Sequence, residues 1–147
     1  MRVSAALLLL AGCAAVDEAP YAELLKGATA LRVRSGGLCH RVLADERALL
    51  ATVDAAEIRA VTGCLRIPPP APNPEITGCR CCGDPTLEFF KDDQLLVAIG
   101  RHHGVMIRSE IIGDQELTRA SAEALCRWLA DRGIPEPEKS RKRIHNR

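Results

Sequence analysis

The chain of 147 residues carries 20 basic and 19 acidic side chains, with only one Trp, one Tyr and two Phe. This length suits one compact domain with a modest core and leaves little room for a second. A nearly neutral chain with so few aromatic residues argues against a nucleic-acid partner, which would favour a basic surface with stacking side chains.

The first thirteen residues have the layout of an export signal. One positive charge at Arg2 precedes an apolar run over residues 5–11, far short of the roughly 20 residues that a membrane-spanning helix needs. The order "LAGC", ending at Cys13, resembles the lipobox of bacterial lipoproteins, in which the cysteine is acylated and becomes the first mature residue. The resemblance implies a signal peptide over residues 1–12, lipidation at Cys13, and export to the outer membrane or the periplasmic face of a bacterial membrane.

The rest of the chain divides by composition into three parts. Residues 13–29 are predicted to be a lipidated cysteine with a tether and leading segment, and residues 30–134 a single domain. Residues 135–147 form a basic tail whose end, "KSRKRIHNR", has five basic residues and no acidic one. We expect this tail to be disordered and solvated, or to touch anionic lipid headgroups. The expected partners are the lipid bilayer, through the acylated cysteine, and other envelope proteins.

The domain begins with a strand signal and a helix signal. The stretch "ALRVRSGG", residues 30–37, alternates apolar and basic residues before a Gly-Gly turn, and "CHRVLADE", residues 39–46, is predicted to return as its hairpin partner. A helix is predicted after Asp54 as N-cap, with Glu57 completing a capping pattern. One face of that helix is apolar, and consists of Ile58, Val61 and Leu65. The proline-rich stretch over residues 67–75 then predicts a stiff extended connector.

The second half predicts a meander and a closing helix. In "LEFFKDDQLLVAIGRHHGVMIRS" two strands flank a turn at residues 91–94, and a third follows "RHHG". The last helix has Thr118 or Ser121 as N-cap and ends at Gly133. Its apolar face, which should cover the sheet, consists of Leu125, Trp128 and Leu129. The predicted fold class is therefore α+β: a small antiparallel sheet, made of a hairpin plus a three-strand meander, covered by two helices.

Six cysteines remain after the lipobox, and export would place them in an oxidising compartment. They are Cys39, Cys64, Cys79, Cys81, Cys82 and Cys126. An even number of cysteines in a small exported domain favours disulfide bonds, so we expect a disulfide-stabilised fold in which all six are candidates. Six cysteines allow 15 pairings, and the sequence does not choose among them.

The cluster Cys79, Cys81 and Cys82 leaves two alternatives open. With His102 or His103 it would supply the sulfur and imidazole ligands that Zn²⁺ or Cu⁺ prefers, although the spacing C-x-C-C is not the usual C-x-x-C of zinc sites. The two histidines of a strand point to opposite faces unless the turn at Gly104 redirects one of them. A thiol-redox role is the other alternative, and it requires a lowered thiol pKa.

The segment from residue 79 to residue 129, with "CRCCGD" followed by "HHG", loosely resembles small uncharacterised bacterial domains of that pattern. The resemblance implies that the cysteine segment and "HHG" belong to one module, and it implies no activity. No catalytic residue is predicted, since no serine lies in a recognisable nucleophile motif. The sequence therefore favours a non-enzymatic envelope lipoprotein with no cofactor, and the alternative is an envelope metal-binding or thiol-redox protein.

Overall fold

The computed structural model describes residues 20–38, 47–68 and 83–134, which form three helices and six strands. The helices are α1 (Pro20–Leu24), α2 (Ala55–Gly63) and α3 (Arg119–Ala130). The strands are β1 (Ala30–Arg34), β2 (Ala48–Thr52), β3 (Thr86–Lys91), β4 (Gln94–His102), β5 (Met106–Ser109) and β6 (Gly113–Glu116). Among the helices of these ranges, none has the length and apolar character needed to span a lipid bilayer.

All six strands join one antiparallel sheet in the order β2-β1-β3-β4-β5-β6. This confirms the α+β class and the antiparallel sheet. Strand β1 pairs with β2 on one side and with β3 on the other. The hairpin partner predicted at residues 39–46 lies outside the described residues. The stretch "ALLAT" gives no clear strand signal in the sequence, because the period of a short apolar run does not distinguish a strand from a helix. Strand β6 was not predicted either, since "GDQE" has no apolar alternation.

Both predicted helices begin at the expected caps. The Oδ1 atom of Asp54 accepts a hydrogen bond of 2.7 Å from the backbone N–H of Ala56, and the hydroxyl of Thr118 accepts one of 3.2 Å from Ser121. Each cap satisfies one backbone donor that a helix start leaves without an intrahelical partner. Gly133 ends the α3 region in a left-handed conformation, with φ of 70°, as its position after the helix predicted.

Helices α2 and α3 are joined through Arg132, which follows α3. Its guanidinium lies 2.6 Å from the Glu57 carboxylate and stacks 4.1 Å from the centre of the Trp128 ring. The hydrogen bond from Arg132 lowers the pKa of Glu57. Glu57 was predicted to complete the helix cap, but its carboxylate binds the other helix region instead.

Helix α1 lies in the segment that was predicted to be a tether. Its Tyr21 is fully buried, and the phenol donates a hydrogen bond of 3.2 Å to Ser109 of β5. Burial raises the pKa of Tyr21, so the phenol stays protonated at neutral pH. A helix of five residues is too short to show an amphipathic period in the sequence, which is why it was missed.

One face of the sheet and the three helices share a single apolar core. Side chains alternate along each strand, so every second residue points to this face. The residues of the core include Leu31, Val33, Leu87, Phe89, Val97, Ile99 and Ile107 from the sheet, and Tyr21, Ile58, Val61, Leu125, Trp128 and Leu129 from the helices. The burial of Leu125, Trp128 and Leu129 confirms the predicted apolar face of α3.

Candidate functional site

The face of the sheet opposite the core is polar. The strand register places one row of residues side by side across five strands: Arg34, Thr86, Gly100, Arg108 and Asp114. Arg34 and Thr86 in this row are buried. Buried charged and hydroxyl groups need hydrogen-bonding partners, because desolvation is otherwise costly. The polar face is therefore organised by specific side-chain pairs.

The first group on the polar face consists of two arginines that donate to one carboxylate. Glu88 accepts a hydrogen bond of 2.6 Å from Nε of Arg32 and one of 2.7 Å from Nε of Arg34, each on a different carboxylate oxygen. The side chains of Arg34 and Glu88 are both buried, whereas that of Arg32 is about half exposed and lies over the Phe90 ring. Glu88 thus holds two cations in fixed positions at the β1-β3 side of this face.

The second cluster joins β4, β5 and β6. The guanidinium of Arg108 forms a two-pronged contact with the Asp114 carboxylate, and Nε2 of His102 lies 3.9 Å from Oδ1 of Asp114. The hydrogen bond from Arg108 lowers the pKa of Asp114. Burial lowers the pKa of His102, and the nearby Asp114 opposes that shift only in part. His102 is consequently a neutral imidazole at pH 7, the form that can accept a proton or bind a metal ion.

His102 and His103 are close to each other. The sequence predicted opposite faces unless the turn at Gly104 redirected one ring, and His103 does adopt a left-handed backbone conformation, with φ of 54°. The two ring centroids lie 5.3 Å apart in an edge-on arrangement. The turn therefore brings both imidazoles to the end of β4.

The chain that follows the cysteine cluster is fixed to the backbone just before these histidines. The N–H of Asp84 donates to the carbonyl of Arg101 at 2.7 Å, and the N–H of Arg101 donates to the carbonyl of Pro85 at 3.0 Å. Gly83 has φ of 75°, and a Cβ atom built on it would lie 2.7 Å from the Arg101 carbonyl oxygen. A side chain cannot fit at that distance, so glycine is required for this close approach. Cys82 is bonded directly to this glycine.

The Asp84 side chain connects the same segment to the turn after β1. Its Oδ1 accepts a hydrogen bond of 3.1 Å from the N–H of Gly36, and the hydroxyl of Thr86 donates to the Gly36 carbonyl at 2.8 Å. The peptide bond between Asp84 and Pro85 is cis. The segment "GDPT" thus connects the β1 turn with the end of β4.

Arg101 lies on the core face of the sheet, where sequence reasoning did not expect a charge. It is 1% exposed, and its Nη2 atom donates to the Gly104 carbonyl at 3.0 Å and to Sγ of Cys126 at 2.7 Å. Cys126, one of the six disulfide candidates, is a half-buried free cysteine whose sulfur accepts this hydrogen bond. The alternation of Val97, Ile99 and Arg101 along β4 was the signal that could have placed Arg101 inside.

The cysteine predictions are tested only where the structure describes the residues. Five of the seven cysteines lie outside the described residues: Cys13, Cys39, Cys79, Cys81 and Cys82. Within the described ranges there is no disulfide bond, so the predicted stabilisation by disulfides is not supported there.

Cys64 in particular is a free thiol. It is half-buried and donates a hydrogen bond of 3.2 Å to the Ala60 carbonyl, and burial raises its pKa. A raised pKa keeps the sulfur protonated, which makes this cysteine a poor nucleophile and a poor metal ligand.

The proposed metal ligands are brought together only in part. The structure places His102 beside His103 and fixes Gly83 against Arg101. Among the described residues, no group of three His, Cys, Asp or Glu side chains could hold a metal ion. The cluster of Arg32, Arg34 and Glu88 and the pair of Arg108 and Asp114 were not predicted as site residues. The alternation in "ALRVR" and "MIRS" was the available signal, since it sets these arginines on the face away from the core.

The chain was compared with protein-family models, with curated proteins and with solved structures, and no match was found in any of the three.

Proposed function

We propose that this protein is a bacterial envelope lipoprotein, exported and anchored by an acylated Cys13, whose α+β domain is a binding or accessory module at the cell envelope. The observation that carries the proposal is the sequence of the first thirteen residues, in which a basic residue and an apolar run precede "LAGC". A cysteine with several acyl chains holds a protein stably on a membrane surface, whereas a single chain binds only marginally.

The position of the domain is consistent with a membrane-surface role. Helix α1 begins at Pro20, seven residues after Cys13, and a fully extended chain of that length spans at most about 25 Å. Such a short link would hold the domain close to the lipid headgroups. A domain so restricted is suited to contact partners that share the same membrane surface.

Membrane fractionation tests the anchor directly. The Cys13→Ser variant of the full chain should move from the membrane to the soluble fraction, since it lacks the acylated sulfur. The matched control is Cys64→Ser, which removes a free thiol of the domain and should leave the protein on the membrane. Unchanged membrane retention of Cys13→Ser would refute the proposal.

The second candidate function is metal binding, with Zn or Cu, or thiol redox chemistry at Cys79, Cys81 and Cys82 together with His102 or His103. Two contacts support it: Gly83 packs against the backbone of Arg101, and the two imidazole rings lie 5.3 Å apart at the end of the same strand. The neutral state of His102 also suits a metal ligand.

Alkylation of the purified, non-reduced protein, followed by peptide mapping, separates the two candidates. Disulfide bonds at the cluster would leave Cys79, Cys81 and Cys82 unlabelled even after denaturation, and Cys64 provides the internal control because it should label fully. Three labelled cysteines together with stoichiometric Zn or Cu in the protein would favour the metal site over the disulfide-linked binding module.

A further inference from the structure

Both ends of the described domain belong to the layer of helices α1, α2 and α3, which covers the core face of the sheet and which we call the helix layer. Helix α1 starts the domain, and its buried Tyr21 shares the core with the other two helices. At the other end, the N–H of the buried Ile134 donates to the carbonyl of Leu129 in α3 at 3.0 Å. The segment that leads to Cys13 and the basic tail therefore both join the protein at the helix layer, on the side away from the polar face.

The exposed side of the helix layer carries three arginines outside any ion pair. Arg59 lies in α2, Arg66 follows α2 and Arg127 lies in α3, and all three are exposed. Among the described residues, no carboxylate forms an ion pair with any of them. We call these three residues the basic patch. A guanidinium that is not paired within the protein can donate its hydrogen bonds to an external anion such as a phosphate group.

The packing of α2 against α3 brings the basic patch together. The ion pair between Glu57 and Arg132 joins the start of α2 to the end of the α3 region. At the other end of the two helices, the N–H of Thr118 donates to the carbonyl of Arg66 at 2.9 Å. The helices are therefore antiparallel, and Arg66 lies beside the start of α3.

Arg127 reaches the same region from α3. Burial raises the pKa of the Cys64 thiol and the charge of Arg127 opposes that rise, so the Arg127 guanidinium lies near Cys64. Arg66 follows Cys64 by two positions, and Arg59 precedes it on α2 by about one and a half turns. The three guanidinium groups thus occupy one region of the helix layer.

The acidic residues of the helix layer do not neutralise the basic patch. Glu23, Glu57 and Glu123 each pair with a different basic residue. Two exposed aspartates remain, Asp54 at the start of α2 and Asp131 at the end of α3. Three arginines against two aspartates leave one net positive charge. The long arginine side chains also carry their charge further from the helices than the short aspartate side chains do.

The turns at one end of the sheet have the opposite charge. Asp92 and Asp93 in the β3-β4 turn and Glu110 in the β5-β6 turn are exposed, and Lys91 is the one exposed basic residue of these two turns. An anionic surface would repel this end of the domain. Of these two parts of the described surface, the helix layer is the one suited to approach an anionic surface.

We propose that the helix layer faces the membrane and that the basic patch binds the phosphate groups of anionic phospholipids, so that the polar face of the sheet is directed away from the membrane. The inference rests on the proposed location at a membrane surface, and the short link from Cys13 to Pro20 keeps the patch within reach of the headgroups. It does not require the acyl chains themselves. Each arginine at an anionic leaflet raises the partition coefficient about fivefold.

Cosedimentation with lipid vesicles tests the basic patch on the full chain with the Cys13→Ser substitution, which removes the anchor. One set of vesicles contains equal parts of phosphatidylglycerol and phosphatidylethanolamine, and the other contains only zwitterionic phosphatidylcholine. We expect binding to the anionic vesicles alone. The binding should be lost in about 1 M NaCl, where charges are screened beyond about 3 Å.

Two double variants separate the basic patch from net charge. Arg66→Gln with Arg127→Gln should weaken binding to the anionic vesicles about twenty-five-fold, since each arginine contributes about fivefold. The matched control, Arg47→Gln with Lys91→Gln, removes the same charge from exposed positions outside the helix layer and should weaken binding less than about threefold. Far-UV circular dichroism checks that both variants keep the fold, as substitutions at exposed positions should.

Two results would overturn the proposal. One is a Cys13→Ser chain that binds the anionic vesicles no better than the zwitterionic ones. The other is an equal loss in the two double variants, since net charge or the basic tail would then carry the binding. The anchor is judged separately, on cell membranes washed with about 1 M NaCl, which removes protein held only by charge. Retention of Cys13→Ser after that wash would refute the lipid anchor and leave the vesicle result for the basic patch unaffected.

Discussion

The close contact between Gly83 and Arg101 predicts a large effect of a single methyl group. In Gly83→Ala the new Cβ would lie 2.7 Å from the carbonyl oxygen, 3.1 Å from the carbonyl carbon and 3.3 Å from the amide nitrogen of Arg101. All three are backbone atoms of a central strand, so no side chain can rotate away. The left-handed φ of 75° adds about 1 kcal/mol for a residue with a Cβ. Overpacking against the backbone adds about 1 to 3 kcal/mol. We expect a total loss of about 2 to 4 kcal/mol, a large share of a typical domain stability.

Gly113→Ala provides a matched control for this prediction. Gly113 has a similar φ of 78°, but a Cβ built on it meets no atom within 4 Å. This variant should therefore lose only about 1 kcal/mol, the conformational part alone. Urea unfolding of the wild type and both variants, with the slope of the transition compared, measures the difference.

The same two variants report on the candidate site. In Gly83→Ala, displacement of the segment "GDPT" from Arg101 should change the environment of the neighbouring His102. An NMR titration should therefore show a shifted pKa of His102 in Gly83→Ala and an unchanged one in Gly113→Ala. Equal destabilisation by the two substitutions would refute the reasoning, since it would mean that the contact with Arg101 carries no cost.

Three further predictions follow from the polar face and the helix cap. Glu88→Gln removes the carboxylate that holds two arginines, one of them buried, and should cost about 3 kcal/mol in urea unfolding. The control Glu123→Gln removes an exposed ion pair within α3 and should cost less than about 0.5 kcal/mol. Equal losses of stability in Glu88→Gln and Glu123→Gln would contradict the argument that the burial of Glu88 makes its ion pairs costly to break. Thr118→Ala removes the hydroxyl that caps α3 and should lower the free energy of unfolding by about 1 kcal/mol. Thr118→Ser keeps a capping hydroxyl and should retain the wild-type stability in the same urea measurement. The folded-state pKa of His102 is lowered, so the unfolded chain binds more protons below its own pKa of about 6.5. Stability should fall as the pH drops below that value, and a His102→Gln variant with an equal fall would refute this assignment.

Much of the fold follows from local sequence signals. The alternation in β1, the turn between β3 and β4, and the caps at Asp54 and Thr118 depend on interactions within a few residues. Such interactions are encoded in the order of the chain itself, and these elements were predicted correctly. The apolar face of α3 was predicted for the same reason, since its period is visible in the sequence.

The candidate site required contacts between distant segments. Arg34 and Glu88 are 54 residues apart, and Tyr21 and Ser109 are 88 apart. Alternation shows which face an arginine occupies, but not which carboxylate stands beside it, because that depends on strand order. The hydrogen bonds between residues 84–85 and Arg101 join the chain after residue 82 to the strand that carries His102, and no local signal in the sequence indicates this pairing.

By itself, the sequence determined the α+β class, the start of α2 after Asp54, the apolar face of α3 and the meander, because these features depend on periodicity and on caps. It also contains the lipobox pattern from which the anchor is proposed. Only the tertiary structure decided that β2 is an uncharged edge, that Arg101 lies in the core and that Gly83 touches its backbone. Each of these depends on which strands become neighbours, and that choice is made by burial of the whole apolar face rather than by any single segment.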